Sequence, residues 1–174
     1  MEIWDLYDIS GNKSDIKIER NSRETIPDGL YHIVCDILAI HKDGTYLLTK
    51  RHPEKDVYPG FWEASAGGSA VSGESPLQCA VRELKEETGI QIKADDLELV
   101  SHTHSERSRS SFFSYIVTVD CPKDSVVLQE TETVDYKWVD AEGFLEYVDS
   151  DTAIKSHNMR YEKYIDALRN RLNQ

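Results

Sequence analysis

Residues 75 to 89 read SPLQCAVRELKEETG, a segment with both ends of a helix written into it. Ser75 can cap the first turn, Gln78 three residues on completes a capping box, and Pro76 stands at the first helical position. Gly89 supplies the stop. Between these ends Leu77, Ala80, Val81 and Leu84 recur at the i, i+3, i+4, i+7 spacing of a single apolar stripe, which predicts a helix laid against a core. The charges contradict this economy. Glu83, Glu86 and Glu87 crowd the final turns, where like charges three and four residues apart repel by roughly 0.2–0.5 kcal/mol per pair. The helix C-terminus adds about half a negative charge of its own. With Glu83 at zero on the helical wheel, Glu86 falls at about −60°, Glu87 at about +40° and the apolar stripe at about +110°. Three carboxylates therefore share one face, away from the stripe, and something must compensate them.

The segments around this helix read mainly as strands. EIWDLYD and DIKIER flank the turn residues Ser10, Gly11 and Asn12, which predicts an N-terminal hairpin, within residues 1–28, with Trp4 and Tyr7 packed inward. YHIVCDILAI, residues 31–40, is apolar on both alternating faces except at His32 and Asp36, as expected of a central strand covered on both sides. HKDG turns it into TYLLTKR. Beyond the loop HPEKDVYPG come FWEASAGGS and the helix, then the strand candidates LELVSHTHSE, SFFSYIVTVD and VDYKWVD. A helix near AEGFLEYV follows. In the closing segment Tyr161, Ile165, Leu168 and Leu172 form a helical stripe. Strands before and after one central helix, with a terminal helix for the other side, predict an α/β sandwich with a mixed sheet between helices.

The chain is of single-domain size, 1–174, and its 39% hydrophobic content is enough for a good core. A net charge of −12 argues against adhesion to nucleic acid or an anionic membrane, so a polyanionic substrate would need local help. MEIWDLYDIS has neither a basic start nor an apolar signal core, and no run approaches the roughly 18 apolar residues of a membrane span. A cytosolic protein is expected. Cys35, Cys79 and Cys121 are isolated in sequence and read as reduced thiols rather than a disulfide framework or zinc knuckle.

Read backwards from the helix, the sequence adds Glu74 just before the cap and Gly68 six residues earlier, giving G-x5-E-x7-R-E-L-x-E-E-x-G-I over residues 68–90. This resembles, without departure, the signature of the Nudix hydrolase family, G-x5-E-x7-R-E-U-x-E-E-x-G-U with U apolar. Seven fixed residues would coincide by chance on the order of once in 10⁹ starting points at average residue frequencies. The resemblance implies a Nudix α/β/α sandwich and a function for the crowded carboxylates. A hard cation such as Mg²⁺, with Mn²⁺ as a substitute, takes oxygen ligands and neutralises their repulsion. It assigns Glu83, Glu86 and Glu87 to metal binding, the Gly68 carbonyl as a further ligand, Arg82 to orienting the glutamates and Glu74 to structural support. The implied reaction is hydrolysis of a phosphoanhydride bond in a phosphorylated small molecule, expected to be a nucleotide derivative.

Outside the box, Lys50, Arg51 and Lys55 of KRHPEK are candidates to hold phosphate oxygens. His102, His104, Arg107 and Arg109 mark a candidate substrate loop. Glu132 resembles the family position where an extra acid approaches the metals or serves as base, with Glu87 ranked ahead of it. The run from Tyr31 to Gly68, with the N-terminal hairpin, looks like the branch related to isopentenyl diphosphate isomerases. The cysteine and histidine those enzymes carry after their tryptophan are matched here to Ala66 and Gly68, with Gly67 between them, so both functional side chains are absent. His32 resembles one of their metal-binding histidines, though a histidine on a buried strand also reads as a core residue. Isomerase activity and a noncatalytic nucleotide sensor are the alternatives to hydrolysis. A homodimer is an allowed assembly.

Overall fold

The computed structural model describes residues 2–173; the two ends of the expected domain, Met1 and Gln174, lie outside them. The strands are β1 (Ile3–Asp8), β2 (Lys13–Glu19), β3 (Leu30–His41), β4 (Tyr46–Arg51), β5 (Trp62–Ala64), β6 (Ala66–Ser69), β7 (Leu97–Ser105), β8 (Ser110–Val119) and β9 (Thr133–Val139). The helices are α1 (Pro76–Thr88), α2 (Ala141–Asp149), α3 (Lys155–Met159) and α4 (Glu162–Leu172), with three short 3₁₀ turns between elements. Among the described residues the nine strands join in one mixed sheet. β3 is its axis, running parallel to β8 from His32 opposite Ser110 to His41 opposite Val119, and antiparallel to β1 and β6.

Alternation along β3 builds two cores. Ile33, Cys35, Ile37 and Ala39 face α1 and pack with Cys79, Ala80 and Leu84. Leu38 belongs to the opposite layer with Tyr46, Leu48, Phe144, Tyr161, Ile165 and Leu168, under α2 and α4. The predicted sandwich is the observed one. The N-terminal hairpin forms as expected, with Gly11 supplying the positive φ of its turn and Trp4 buried; Tyr7 is half-buried. No described helix is long and apolar enough to cross a membrane.

Two details differ from the sequence reading. The face α1 buries consists of Cys79, Ala80, Leu84, Glu87 and Thr88, and Leu77 is exposed. The buried arc is therefore rotated toward the glutamates, and Glu87 lies inside it rather than beside it. The five-residue α3 was not anticipated, because a single turn with one buried residue leaves no periodic signal.

The sheet is split where it matters. β3 and β4 meet only at Ile40 opposite Tyr46. Below that point they part, β5 pairing with β4 and β6 with β3. Ser65, the residue between β5 and β6, closes the fork: its Oγ accepts the Ala39 N–H at 2.7 Å and donates to the Leu47 carbonyl at 2.8 Å, while its carbonyl accepts the Thr49 hydroxyl at 3.0 Å. It is fully buried. Ser65→Ala leaves the Ala39 N–H without its acceptor in a dry interior, at an expected cost of about 1–3 kcal/mol in urea unfolding, with the m-value unchanged.

Candidate active site

The ends of α1 form as read. Ser75 accepts the Gln78 N–H and Gln78 accepts the Ser75 N–H, and Gly89 takes the left-handed conformation that ends the helix. This fixes which way each glutamate points. Glu86 is on the outer side, its side chain 48% exposed. Glu83 is mostly covered, and Glu87 is buried at 7% exposure against the sheet.

Arg82 organises the open side of the cluster. Its Nε and Nη2 donate to the two Glu74 oxygens at 2.7 and 2.9 Å, and Nη2 donates to the Ser69 carbonyl at 3.1 Å. Its Nη1 donates to Glu83 at 2.8 Å and Glu86 at 3.0 Å. One guanidinium thus ties the loop before the helix to two of the three carboxylates, a use that needs the planar fork of arginine. Glu74 also accepts the Val71 N–H at 3.0 Å. Burial pushes its carboxyl up, but Arg82 and the Val71 N–H outweigh that and hold it below the usual carboxylate range.

Glu87 stands apart from this clamp. Burial first, then the neighbouring Glu63 and Glu83, push its carboxyl well above the usual range, against the pull of Lys55 and the Gly67 N–H. Glu63, on β5 opposite Thr49, was missed from the sequence; a lone charge in FWEASA is a weak signal, and only the β4–β5 pairing brings it here. It accepts two bonds from Arg51 Nη1 at 3.0 and 3.2 Å, and His157 Nδ1 lies 3.5 Å away. His157 is held neutral, its pKa lowered to about 3 by burial and by Arg160 and Arg51. In the opposite layer Asp36, also buried, pairs with Arg160 at 2.9 Å. Three buried carboxylates thus stand against two arginines, and among the described residues Glu87 is the one without an arginine or lysine nitrogen within 4 Å.

The other expected residues are only partly gathered. Arg51 is at the site but engaged by Glu63 and the Val57 carbonyl, and Lys55 pairs with Glu132 in the turn before β9. Both are therefore already neutralised. Lys50 alternates to the opposite face, 5.8 Å from the Trp62 ring, and is not beside Arg51. Arg107 is exposed in the β7–β8 turn, which docks on Asp28 through Arg109 rather than on α1. His102 of β7 stacks on Phe113 of β8, and His104 meets the ring of Tyr31 on β3. His32 is a core residue: it stacks on Trp4 with ring centroids 4.0 Å apart, its Nδ1 lies 2.9 Å from the Arg109 carbonyl, and burial lowers its pKa to about 4.

Among the described residues no three Asp, Glu, His or Cys side chains converge into a finished metal cage, because Glu83 and Glu86 turn toward Arg82. The donor set nevertheless fits a hard cation. The Glu83 carboxyl fills the space a Cβ on Gly68 would need, so only glycine lets that carboxylate lie against the loop backbone. The uncompensated Glu87 offers oxygen and charge on the same side.

The mixed sheet splits between β3 and β4, and the acidic end of α1 packs beside that split. The NUDIX domain family model matches residues 30–160. An uncharacterized Nudix hydrolase of Listeria innocua is 30% identical over 142 residues, covering 82% of each chain. The nucleoside triphosphatase NudI of Escherichia coli is 30% identical over 123 residues, 66% of this chain and 85% of that one. The solved structure of DR0079 from Deinococcus radiodurans superposes with a TM-score of 0.68 at 19% identity, covering 97% and 98% of the two chains. The chain belongs to the Nudix hydrolase family. Counted strictly from Trp62, the isomerase pattern W-x4-C-G-H falls on Gly67, Gly68 and Ser69 rather than on Ala66 to Gly68; neither thiol nor imidazole is present at either spacing.

Replacing Glu87 by Gln removes an uncompensated buried charge. At pH 8 without metal, the variant is expected to be more stable than the native protein by roughly 1–2 kcal/mol. A raised carboxyl pKa weakens the fold only above the unfolded value, so the gain should vanish near pH 4. Thermal melts in chelator at the two pH values check both the sign and the disappearance.

Proposed function

We propose that the protein hydrolyses a phosphoanhydride bond of a nucleoside di- or triphosphate, or of a nucleoside diphosphate linked to another group, with Mg²⁺ as cofactor and Mn²⁺ as substitute. The observation that carries this reading is Glu87, buried with Glu63 and Glu83 beside it and no arginine or lysine nitrogen within 4 Å. Such an arrangement is costly unless a cation completes it. The name of NudI supports a nucleoside phosphate as substrate.

Glu83, Glu86, Glu87 and the Gly68 carbonyl would hold the metal. When bound, it supplies charge to the phosphate oxygens and lowers the pKa of a water. Glu87 would accept the proton of the attacking water, with Glu132 ranked second as base. Arg82 keeps Glu83 and Glu86 on the open side. Arg51 and Lys55 stand to receive phosphate oxygens once these compete with Glu63 and Glu132.

Within the family we place the chain beside the isomerase-related branch on its hairpin and its strands, but as a hydrolase, since neither the thiol nor the imidazole of the isomerase pattern stands anywhere in residues 66–69. The test is a panel of nucleoside di- and triphosphates, nucleotide sugars and prenyl diphosphates with Mg²⁺ or Mn²⁺. At least one nucleoside compound should be cleaved, and isopentenyl diphosphate should not be converted to dimethylallyl diphosphate. Glu86→Gln and Glu87→Gln should each lower kcat by about 10²–10⁴-fold. Full turnover by both variants would sink the assignment. Gly68→Ala should displace the Glu83 carboxyl and weaken Mn²⁺ binding in a protein that still folds, as read by electron paramagnetic resonance.

A further inference from the structure

The N-terminal hairpin lies outside the residues matched to the family, yet it is bonded to the loop that opens the active site. The bonds converge on Asp5, whose side chain is only 3% exposed. Its Oδ2 accepts the Gly73 N–H at 2.7 Å and the Lys13 ammonium at 2.6 Å, and its Oδ1 accepts the Ser72 hydroxyl at 3.0 Å. The same two strands add a second layer of bonds. The Ser72 N–H donates to the Ile3 carbonyl at 2.7 Å, and Lys17 Nζ donates to Ser72 Oγ at 2.8 Å.

Ser72 and Gly73 are the middle of the segment running from Gly68 to the Ser75 cap, and Gly73 has a φ of +92° that few other residues tolerate. One residue later Glu74 begins the chain of contacts that passes through Arg82 to Glu83 and Glu86. The loop is thus gripped from two sides, by Arg82 and Glu74 within the box and by Asp5 from the hairpin.

A carboxylate is an odd choice if the hairpin only had to stick. Its neighbours Trp4, Leu6 and Ile18 already form a small apolar core, and an apolar residue at position 5 would avoid the cost of burying charge. What a carboxylate adds is two oxygens that fix two successive loop donors in direction.

We propose that Asp5 is a positioning residue of the active site, pinning Ser72 and Gly73 so that Glu74 and Arg82 hold the acidic face of α1 ready for metal. This rests on the metal-dependent reading above. Removing the clamp frees the loop about Gly73 and loosens the grip of Glu74 on Arg82. Partners one step removed from metal ligands, as Arg82 is, typically change affinity by about 10–100-fold, and Asp5, which acts through the 72–73 backbone, Glu74 and Arg82, is expected at the lower end.

The test compares Asp5→Asn, Ser72→Ala and Lys13→Met in the full chain. Mn²⁺ affinity is followed by electron paramagnetic resonance and backbone amide exchange by mass spectrometry. Asp5→Asn should bind Mn²⁺ about tenfold more weakly. Its amides at residues 71–74 should exchange faster while those of β3 do not change, and its lost turnover should return as metal is raised. Ser72→Ala should shift the same readouts in the same direction by less, and it decides the matter if Asp5→Asn does not fold. Lys13→Met removes a half-exposed ammonium but leaves both loop bonds, so its Mn²⁺ affinity should stay within about twofold. Unchanged affinity and exchange in folded Asp5→Asn, or an equal loss in Lys13→Met, would overturn the proposal. If the native protein binds no Mn²⁺, the metal-dependent reading fails by itself, and unaltered exchange at 71–74 in Asp5→Asn would still refute the clamp separately.

Discussion

A carboxylate buried without an arginine or lysine in contact is the constraint around which this side of the molecule is arranged. Two of the three acids in and behind the split sheet are matched, Glu63 by Arg51 and Asp36 by Arg160, and Glu87 is not. Burying an ion without a partner costs several kcal/mol, which the protein escapes by holding a proton or by taking a cation. The raised proton affinity of Glu87 and its suitability as a metal ligand are two expressions of that one deficit.

Such a deficit can persist only where the surrounding structure is rigid enough to hold it. The fork between β3 and β4 makes room for β5 and β6, and Ser65 closes the fork with backbone partners on both sides. β5 then carries Glu63 to its place, and β6 carries Gly67 and Gly68, whose missing side chains let the Cys35 carbonyl and the Glu83 carboxylate, respectively, approach the backbone. On the open side the single Arg82 guanidinium offsets the repulsion among Glu83, Glu86 and Glu74 and ties the helix to the loop before it. Cysteine lends a hand as well. Cys79 Sγ donates to the Gly68 carbonyl at 3.6 Å, a weak bond that a metal could outcompete.

Much of this was written locally. The ends of α1 follow from Ser75, Pro76, Gln78 and Gly89, because caps act through the residues next to them. The double-sided burial of β3 follows from its unbroken apolar run, and the family follows from seven residues at fixed spacing. The face α1 buries was less legible. Leu77 and Val81 fit the stripe by period, yet the helix turns Cys79 into the apolar core beside Cys35 and Ile37, and the same rotation carries Glu87 inward against the repulsion of Glu63, which no count of apolar residues predicts.

What only the tertiary structure decided is which charges meet. Sequence marked Lys50, Arg51 and Lys55 together as a basic run, but strand alternation sends Lys50 to the far face, while pairing gives Arg51 to Glu63 and Lys55 to Glu132. His32 carried the same ambiguity until Trp4 was found stacked on it. Glu63 on β5 meets His157 of α3, with Arg160 at the cap of that helix, up to 97 residues away in the chain. Hydrophobic period and helix caps act over a few residues and can be read from the string itself. Ion pairs form wherever folding brings two groups within a few ångströms, and that distance is a property of the sheet's register rather than of the sequence's spacing.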